Sequence, residues 1–313
     1  VNVAIFSRKK DTQSRHVAAM LRQRGADVTW IEGDAFDRGI GHSLRNQRFF
    51  YDGTPMEDLR GVWVRQVRAP LAPWIEKDDR LLLHDDWFVL YMRQREQHAF
   101  VWSWLLSLAE EGKNVINPPS PGTIGRLKPY QLYLLHRKGL PVPASLVTND
   151  PGEVRRFRDQ VGEVVFKPSM GGAFCERLTP EKEADLAHIL HAPVIFQEWI
   201  RGIDIRVMVL DGHILSSVVV EVPPETLDFR TDDNYSTGQG TYREHPLPRK
   251  VEKICARAAR LLRLRFAGID LKMDDAGNYH LLECNSSPVY LDVERKMGHP
   301  ITARLVDALL SET

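Results

Sequence analysis

Hydrophobic positions recur along the chain with two periods, alternation and helical spacing, in blocks that follow one another. Residues 1–6 alternate as a strand, Val17, Met20 and Leu21 form a helical stripe, and residues 28–31 give a second strand. Residues 61–65 add a third, and an apolar helix is centred on 100–108. Val115 and Ile116 then run into Pro118-Pro119-Ser120-Pro121-Gly122, which can continue neither helix nor ladder and is the clearest boundary. Beyond it, Pro129 opens a helix carrying Leu132, Leu135 and His136, which Gly139 stops. Residues 151–161 read as a helix, and 164–167 as a strand that leads into Gly171-Gly172. Thr179-Pro180 joins a capping hydroxyl to a first-turn proline. The last third predicts strands at 194–200, 203–210 and 214–221, then a polar loop over 223–243 long enough to carry function. Val251, Ile254, Cys255, Ala258 and Leu262 mark an amphipathic helix, followed by a hairpin over 268–286 and a terminal helix with Ile301, Leu305 and Leu309. Strands mixed with helices throughout predict an α/β or α+β chain in three lobes.

Composition narrows the classes. Hydrophobic residues at 43% of 313 suffice for a full core, and basic and acidic side chains balance at 42 each. That balance gives no general hold on nucleic acid or membranes, so any basic site is local; Arg65 and Arg68 are either such a patch for an acidic peptide or ordinary surface charge. No run approaches the roughly 20 apolar residues of a membrane span. The start reads as a strand leaving into a loop rather than a signal peptide. Cys175, Cys255 and Cys284 are odd in number and widely spaced, which argues against disulfides or a zinc site and suits a cytoplasmic protein. His84-Asp85-Asp86 could bind a second metal, although mid-helix polar clusters are more often a solvated face.

The strongest local chemistry lies in the hairpin. With a two-residue turn at Ala276-Gly277, Asp270 falls opposite Glu283. Alternation puts Asn285 on the face of Glu283, and Leu282 and Cys284 on the other. Two facing carboxylates repel unless a cation sits between them, and an oxygen-only set suits Mg²⁺ with substrate phosphates. An exposed polar strand face is the alternative. Cys284 is read as packing rather than a nucleophile.

Three further segments add polar groups. Lys167 ends an apolar strand before a Ser/Gly-rich loop that begins at Ser169, an order that can serve phosphates but is not a Walker loop. After Gly202, Ile203, Ile205 and Val207 face one way and Asp204 and Arg206 the other. Those two form either a structural ion pair or a pair of nucleotide contacts, one to ribose and one to phosphate. Arg230, in the polar loop, is placed either to fold over a reacting phosphoryl group or on a mobile surface.

In order, Lys128, Lys167, Gln197-Glu198-Trp199-Ile200, Asp204-Ile205-Arg206, Arg230, Asp270 and Glu283-Cys284-Asn285 resemble the ATP-grasp superfamily, in particular its RimK-type branch, from about residue 117 onward. The resemblance implies a Rossmann-like pre-ATP-grasp domain over 1–117, a central lid lobe over 118–197 and a C-terminal lobe over 198–313. It implies that Lys128 and Lys167 hold the α- and β-phosphates of ATP and that the Ser169, Gly171, Gly172 loop covers them. Gln197, Glu198, Trp199 and Ile200 are then the adenine segment, Asp204 the ribose ligand, and Asp270, Glu283 and Asn285 the Mg²⁺ ligands, Mn²⁺ being the alternative ion. Arg206 and Arg230 become the catalytic stabilisers of an acyl-phosphate. The implied reaction joins a carboxylate donor to an amine or hydroxyl acceptor, on a peptide or amino acid, in a homodimer or homotetramer with no nucleic-acid or membrane partner.

A second, looser likeness links Trp63-Val64-Arg65-Gln66, Arg95-Glu96, Ile116-Asn117-Pro118-Pro119, Tyr290-Leu291-Asp292-Val293-Glu294 and Gly298-His299-Pro300 to the graspetide maturases, which crosslink ribosomal peptides. Gln66 departs from that pattern where a second arginine is expected, and Asn285-Ser286-Ser287-Pro288 is RimK-like. A non-catalytic nucleotide-binding module and a kinase on the same scaffold are the alternatives.

Overall fold

The computed structural model describes residues 1–32, 35–36, 38–66, 87–120, 127–170, 173–223 and 225–312, in two compact units. One unit takes in 1–119 with 302–313, and the other 120–301. Arg68, His84-Asp85-Asp86 and Gly171-Gly172 lie outside the described residues.

In the first unit, β1 (Asn2–Phe6), α1 (Thr12–Gln23) and β2 (Asp27–Ile31) are followed by β3 (His42–Arg45), β4 (Arg48–Tyr51) and β5 (Thr54–Pro55), then β6 (Leu59–Val64), α2 (Trp87–Glu110) and β7 (Asn114–Ile116). The parallel order β2-β1-β6-β7 is the expected α/β arrangement. Phe6 meets Trp104 edge to face at 5.3 Å among Ala4, Val62 and Leu105, which puts β1, β6 and α2 around one core. Asp11 caps α1 by accepting from the Ser14 N–H at 2.7 Å. Two features differ from the periodicity reading. The antiparallel trio β3-β4-β5 is short and polar, and its first turn depends on Asn46 and Gln47 at φ +49° and +65° rather than on a hydrophobic pattern. Helix α2 starts at Trp87, well before residue 100, and runs through the polar stretch 93–98, whose Arg and Gln favour helix but interrupt the apolar pattern. Arg65 is buried, 3.8 Å from Asp11, so it is not part of a surface patch.

The second unit begins with α3 (Lys128–Arg137), β8 (Ser145–Thr148), α4 (Pro151–Val161), β9 (Val164–Pro168), β10 (Glu176–Arg177), α5 (Pro180–Ala184) and β11 (Val194–Glu198). It continues with β12 (Ile203–Leu210), β13 (His213–Glu221), α6 (Asp233–Ser236), β14 (Thr241–Glu244), α7 (Arg249–Leu261), β15 (Phe266–Met273), β16 (Tyr279–Asn285) and α8 (Leu291–Met297). The last helix, α9 (Ile301–Leu310), lies from Thr302 onward in the first unit. There a Cβ on Gly61 would run into the Leu309 carbonyl, which is why β6 carries glycine at that point.

Two antiparallel sheets build the second unit, ordered β10-β9-β11-β8 and β14-β13-β12-β15-β16. On the larger sheet, Ile205, Val207, Ile269, Leu271, Leu281 and Cys284 face α7 and Leu135 of α3, which frees the opposite face for polar groups. Thr179 caps α5 as its position before Pro180 predicts, accepting from the Lys182 N–H, and the structure adds Asp150 as the cap of α4. His136 differs, since α3 buries Lys128, Gln131, Leu132 and Leu135 and turns His136 outward. Among the described residues, no helix is long and apolar enough to cross a membrane.

Candidate active site

The polar face of the larger sheet carries a row of charges. Strand register sets Arg206 of β12 beside Asp270 of β15, and Asp270 beside Glu283 of β16. Arg206 Nη1 donates to Asp270 Oδ1, and Asn285 Nδ2 donates to Asp270 Oδ2 at 3.0 Å. Lys128, at the start of α3, reaches Glu283 Oε2 at 2.9 Å. One turn later, the Gln131 amide exchanges two hydrogen bonds with the Cys284 backbone (2.8 and 2.9 Å), so α3 pins the outer edge of β16. A second charge row sits one pleat along, where Lys272 meets Asp204 at 2.9 Å with both side chains buried. Gly268 leaves room for this packing. A Cβ there would lie 2.6 Å from Pro288 Cβ and 3.1 Å from Arg206 Nη2.

The hairpin reaches the expected pairing by another route. Its tip is a three-residue loop, with Met273 opposite Tyr279, and Leu282 is an unpaired bulge that restores Asp270 opposite Glu283. Cys284 is buried as alternation requires. Leu282 is not: the bulge turns it to the same side as Glu283, correcting the expected grouping of Leu282 with Cys284.

These rows form one wall of a cleft of about 460 Å³. Val165 and Lys167 of β9 and the segment 197–200 line the other side, and Asp228, Arg230 and Tyr235 line a further stretch. Lys167 makes no ion pair within 4 Å among the described residues. Burial lowers its pKa, against the pull of Glu283. Arg230 is half-exposed and held by a fork to Asp228, whose Oδ1 accepts from its Nε at 2.8 Å while Oδ2 takes Nη2. The Glu198 and Trp199 N–H groups go to Ala144 O and Glu163 O, both at 2.9 Å. Gln197 turns its amide to Ser145 Oγ at 2.9 Å.

The electrostatics follow from the packing. Burial raises the pKa of Asp270, with Arg206 pulling it down and Glu283 pushing it up. Burial acts the same way on Glu283, but Lys128 and Lys167 overcome it and keep that carboxyl below its usual range. Burial likewise raises Asp204 in spite of Lys272. Buried Arg206 leaves its Nε without a hydrogen-bond partner among the described residues. The site therefore holds uncommitted cationic donors on either side of two close carboxylates. That donor set fits a divalent cation shared with phosphate oxygens: two carboxylates and an amide supply too few ligands for a closed cage. Among the described residues, no third His, Cys, Asp or Glu joins them.

Of the residues expected at the site, Lys167, Gln197, Glu198, Trp199, Ile200, Asp204, Arg206, Arg230, Asp270, Glu283 and Asn285 share the cleft wall. Lys128 joins it through Glu283. Ser169 stands apart, donating to Pro193 O at 3.1 Å. Asp228, Tyr235, Lys272 and Leu282 also line the cleft, none of them being among the expected site residues. Lys272 was legible, being two residues from Asp270 on the same strand face. Asp228 carried the signal of an Asx turn ahead of Arg230.

A family model described as the RimK-like ATP-grasp domain matches residues 126–309. The "Probable alpha-L-glutamate ligase" of Shewanella halifaxensis is 28% identical over 205 residues, which are 62% of this chain and 43% of that protein, so the chain spans less than half of that relative. The ATP-grasp ligase PsnB, solved in complex with a minimal precursor, superposes with a TM-score of 0.85 at 32% identity, covering 99% of both chains. The macrocyclase MdnC from Microcystis aeruginosa, bound with precursor peptide MdnA, has a TM-score of 0.82 at 19% identity over the whole of both chains, a likeness of fold alone.

Proposed function

The chain belongs to the RimK-like ATP-grasp family, and from that premise we propose that it is an ATP-dependent ligase that activates a carboxylate as an acyl-phosphate and joins it to an amine or hydroxyl of a peptide. The observation that carries this reading is the row Arg206–Asp270–Glu283, faced by Lys167 and Arg230 across one cleft. In this reading, 1–117 is the pre-ATP-grasp domain, 118–197 the central lobe and 198–313 the C-terminal lobe, its last stretch, 302–313, being grouped with the first unit.

ATP lies along the cleft. With the Glu198 and Trp199 N–H groups already taken, the Ile200 N–H is the donor left for the adenine edge. Asp204, fixed by Lys272, accepts from the ribose hydroxyls. Lys128 and Lys167 hold the α- and β-phosphates, under the loop of Gly171 and Gly172, which Ser169 starts with its hydroxyl turned to Pro193 O. Asp270, Glu283 and Asn285 would hold Mg²⁺, or Mn²⁺ in its place, and such an ion would supply charge neutralisation for the phosphates. Arg206 and Arg230 bind the oxygens of that group. A substrate carboxylate oxygen attacks the γ-phosphorus, and the bond to the β–γ bridging oxygen breaks to release ADP. The acceptor nitrogen or oxygen then attacks the acyl carbon and loses its proton, and phosphate leaves. Fixed cations aimed at the developing charge need no reorganisation during either step.

A peptide is favoured over a free amino acid because PsnB, similar along the whole chain, was solved with a precursor. Three unpaired thiols fit a cytoplasmic setting. The test is release of ADP and phosphate from Mg-ATP against pooled amino acids and acidic peptides, with hydroxylamine present in a parallel series. Release that needs a pool, a hydroxamate, and a product lighter by one water support the ligase. A stable phosphoester without hydroxamate would replace it with a kinase, and tight ATP binding without turnover would replace it with a binding module.

A further inference from the structure

Tyr290-Leu291-Asp292-Val293-Glu294 and Gly298-His299-Pro300 stand outside the cleft wall, yet two of their polar side chains, Asp292 and His299, meet one short stretch of chain. Lys296 of α8 directs its ammonium to three oxygens: Gly238 O at 2.8 Å, Gly240 O at 2.7 Å and Asp292 Oδ2 at 3.0 Å. The Tyr242 hydroxyl donates to the same Asp292 oxygen at 2.8 Å. His299 joins Glu244 Oε1 and Ser216 Oγ, each at 2.7 Å. Together these contacts fasten 238–244, the returning end of the polar loop, to α8 and its exit.

From there a chain of contacts reaches the cleft. Gly238 N–H donates to Tyr235 O at 3.1 Å, and a Cβ on Gly240 would lie 3.3 Å from the Tyr235 ring. Tyr235 packs edge to face on Phe229 at 4.8 Å, and Phe229 sits between Asp228 and Arg230. A lysine side chain has many rotamers and loses most of that freedom when it is ordered. A lysine only about one-third exposed, with every ammonium donor used, therefore marks a place where order matters. Its acceptors are mostly backbone carbonyls, so what it orders is the path of the chain.

We propose that Lys296, supported by Asp292, is a positioning residue that anchors the loop carrying Arg230 and Tyr235, so that both side chains stand in the cleft during phosphoryl transfer. The catalytic half of this inference rests on the ligase reading; the anchoring half does not. The anchor touches neither 197–200 nor Lys167, so it governs turnover rather than nucleotide affinity.

The experiment compares full-length wild type with Lys296→Met and Lys296→Arg. Backbone hydrogen exchange over 228–240 is followed by mass spectrometry, ADP·Mg²⁺ binding by calorimetry, and ADP release with a pool of synthetic acidic peptides. In Lys296→Met, exchange over 228–240 is expected to speed up about tenfold, peptide-dependent ADP release to fall about tenfold, and ADP·Mg²⁺ affinity to change by less than about threefold. Lys296→Arg, which keeps the charge and donors, retains roughly a third or more of the turnover. Unchanged exchange in the Met variant would overturn the proposal. So would a loss of nucleotide affinity and melting temperature as large as the loss of turnover, because Lys296 would then be a general support. If wild type releases no ADP with any peptide, the ligase reading fails, and the exchange arm still decides the anchor.

Discussion

Asp270 and Glu283 stand directly opposite each other because two irregularities in the hairpin cancel. The three-residue loop at its tip displaces the pairing by one, and the bulge at Leu282 displaces it back. A regular hairpin with a two-residue turn would pair the same carboxylates. What the irregular one adds is Leu282 itself, an apolar side chain placed next to Glu283 on the cleft side.

That placement assigns Leu282 to nucleotide affinity rather than to charge. Truncation to alanine removes apolar contact and leaves the carboxylate pair and its cations in register. Leu282→Ala is expected to weaken ADP·Mg²⁺ binding about tenfold, or ~1.4 kcal/mol, the scale of losing part of the apolar contact a leucine makes with a bound nucleotide. Calorimetry measures this directly. Affinity equal to wild type would show that the bulge is a matter of strand geometry alone.

Glu283 is expected to act through charge. Alanine would strand Lys128, whose side chain is only 10% exposed, and an unpaired buried charge destabilises in its own right. Glutamine keeps the shape and a hydrogen-bond acceptor, and so separates the two effects. Glu283→Gln is expected to lower ATP turnover about tenfold or more, at least ~1.4 kcal/mol of barrier, with little change in melting temperature. A chelator in excess is expected to abolish wild-type turnover, and added Mg²⁺ to restore it. Turnover that survives both the substitution and the chelator would remove the metal assignment.

The legible part of this site was the part written in strand alternation. Asp204 and Arg206 share a face, Cys284 is buried, and Asp270 meets Glu283, all from a period of two. What stayed hidden depends on contacts between distant segments. Lys128 and Glu283 are 155 positions apart, and Gln131 and Cys284 are 153, so neither pairing leaves a local pattern. The bulge at Leu282 is invisible for another reason: a single extra residue in an apolar strand changes no period until the partner strand is known. The sheet β3-β4-β5 was missed because turn dihedrals, not apolar alternation, specify it.

Asp228 is a buried carboxylate whose oxygens are taken up by Arg230 and by the Cys175 N–H at 3.2 Å. The Arg230 fork keeps its pKa low against burial, which alone would raise it. Asparagine keeps one acceptor oxygen but loses the charge and the fork. Asp228→Asn is expected to lower turnover about tenfold while ADP·Mg²⁺ affinity changes by less than about threefold. Arg230→Lys is expected to be no better than Asp228→Asn, because an ammonium cannot make two parallel hydrogen bonds. Steady-state kinetics with whichever peptide drives ADP release in the pooled assay gives both values, and an Arg230→Lys enzyme with full activity would rule out the fork as the reason for arginine.

His42 makes a prediction for stability in the first unit. Its ring stacks on Phe36 at 3.8 Å and meets Tyr51 edge to face at 5.0 Å. Nδ1 lies 2.8 Å from Ile40 O and so carries the proton, while Nε2 is buried with no partner among the described residues. Burial lowers the pKa of His42 below 6.5, and the Ile40 carbonyl opposes that only in part. Protons therefore bind the unfolded chain more readily. The stabilisation is fully present above pH ~6.5 and is lost as pH falls below it toward the folded pKa, with a slope of at most about 1.4 kcal/mol per pH unit. His245 shifts in the same direction through burial and Arg243, so part of the acid sensitivity lies elsewhere. His42→Phe preserves the stack and removes the titration. Between about pH 7.5 and 5.5 its melting temperature is expected to fall less than that of wild type. Equal falls in the two proteins would mean that His42 reaches water before it is protonated.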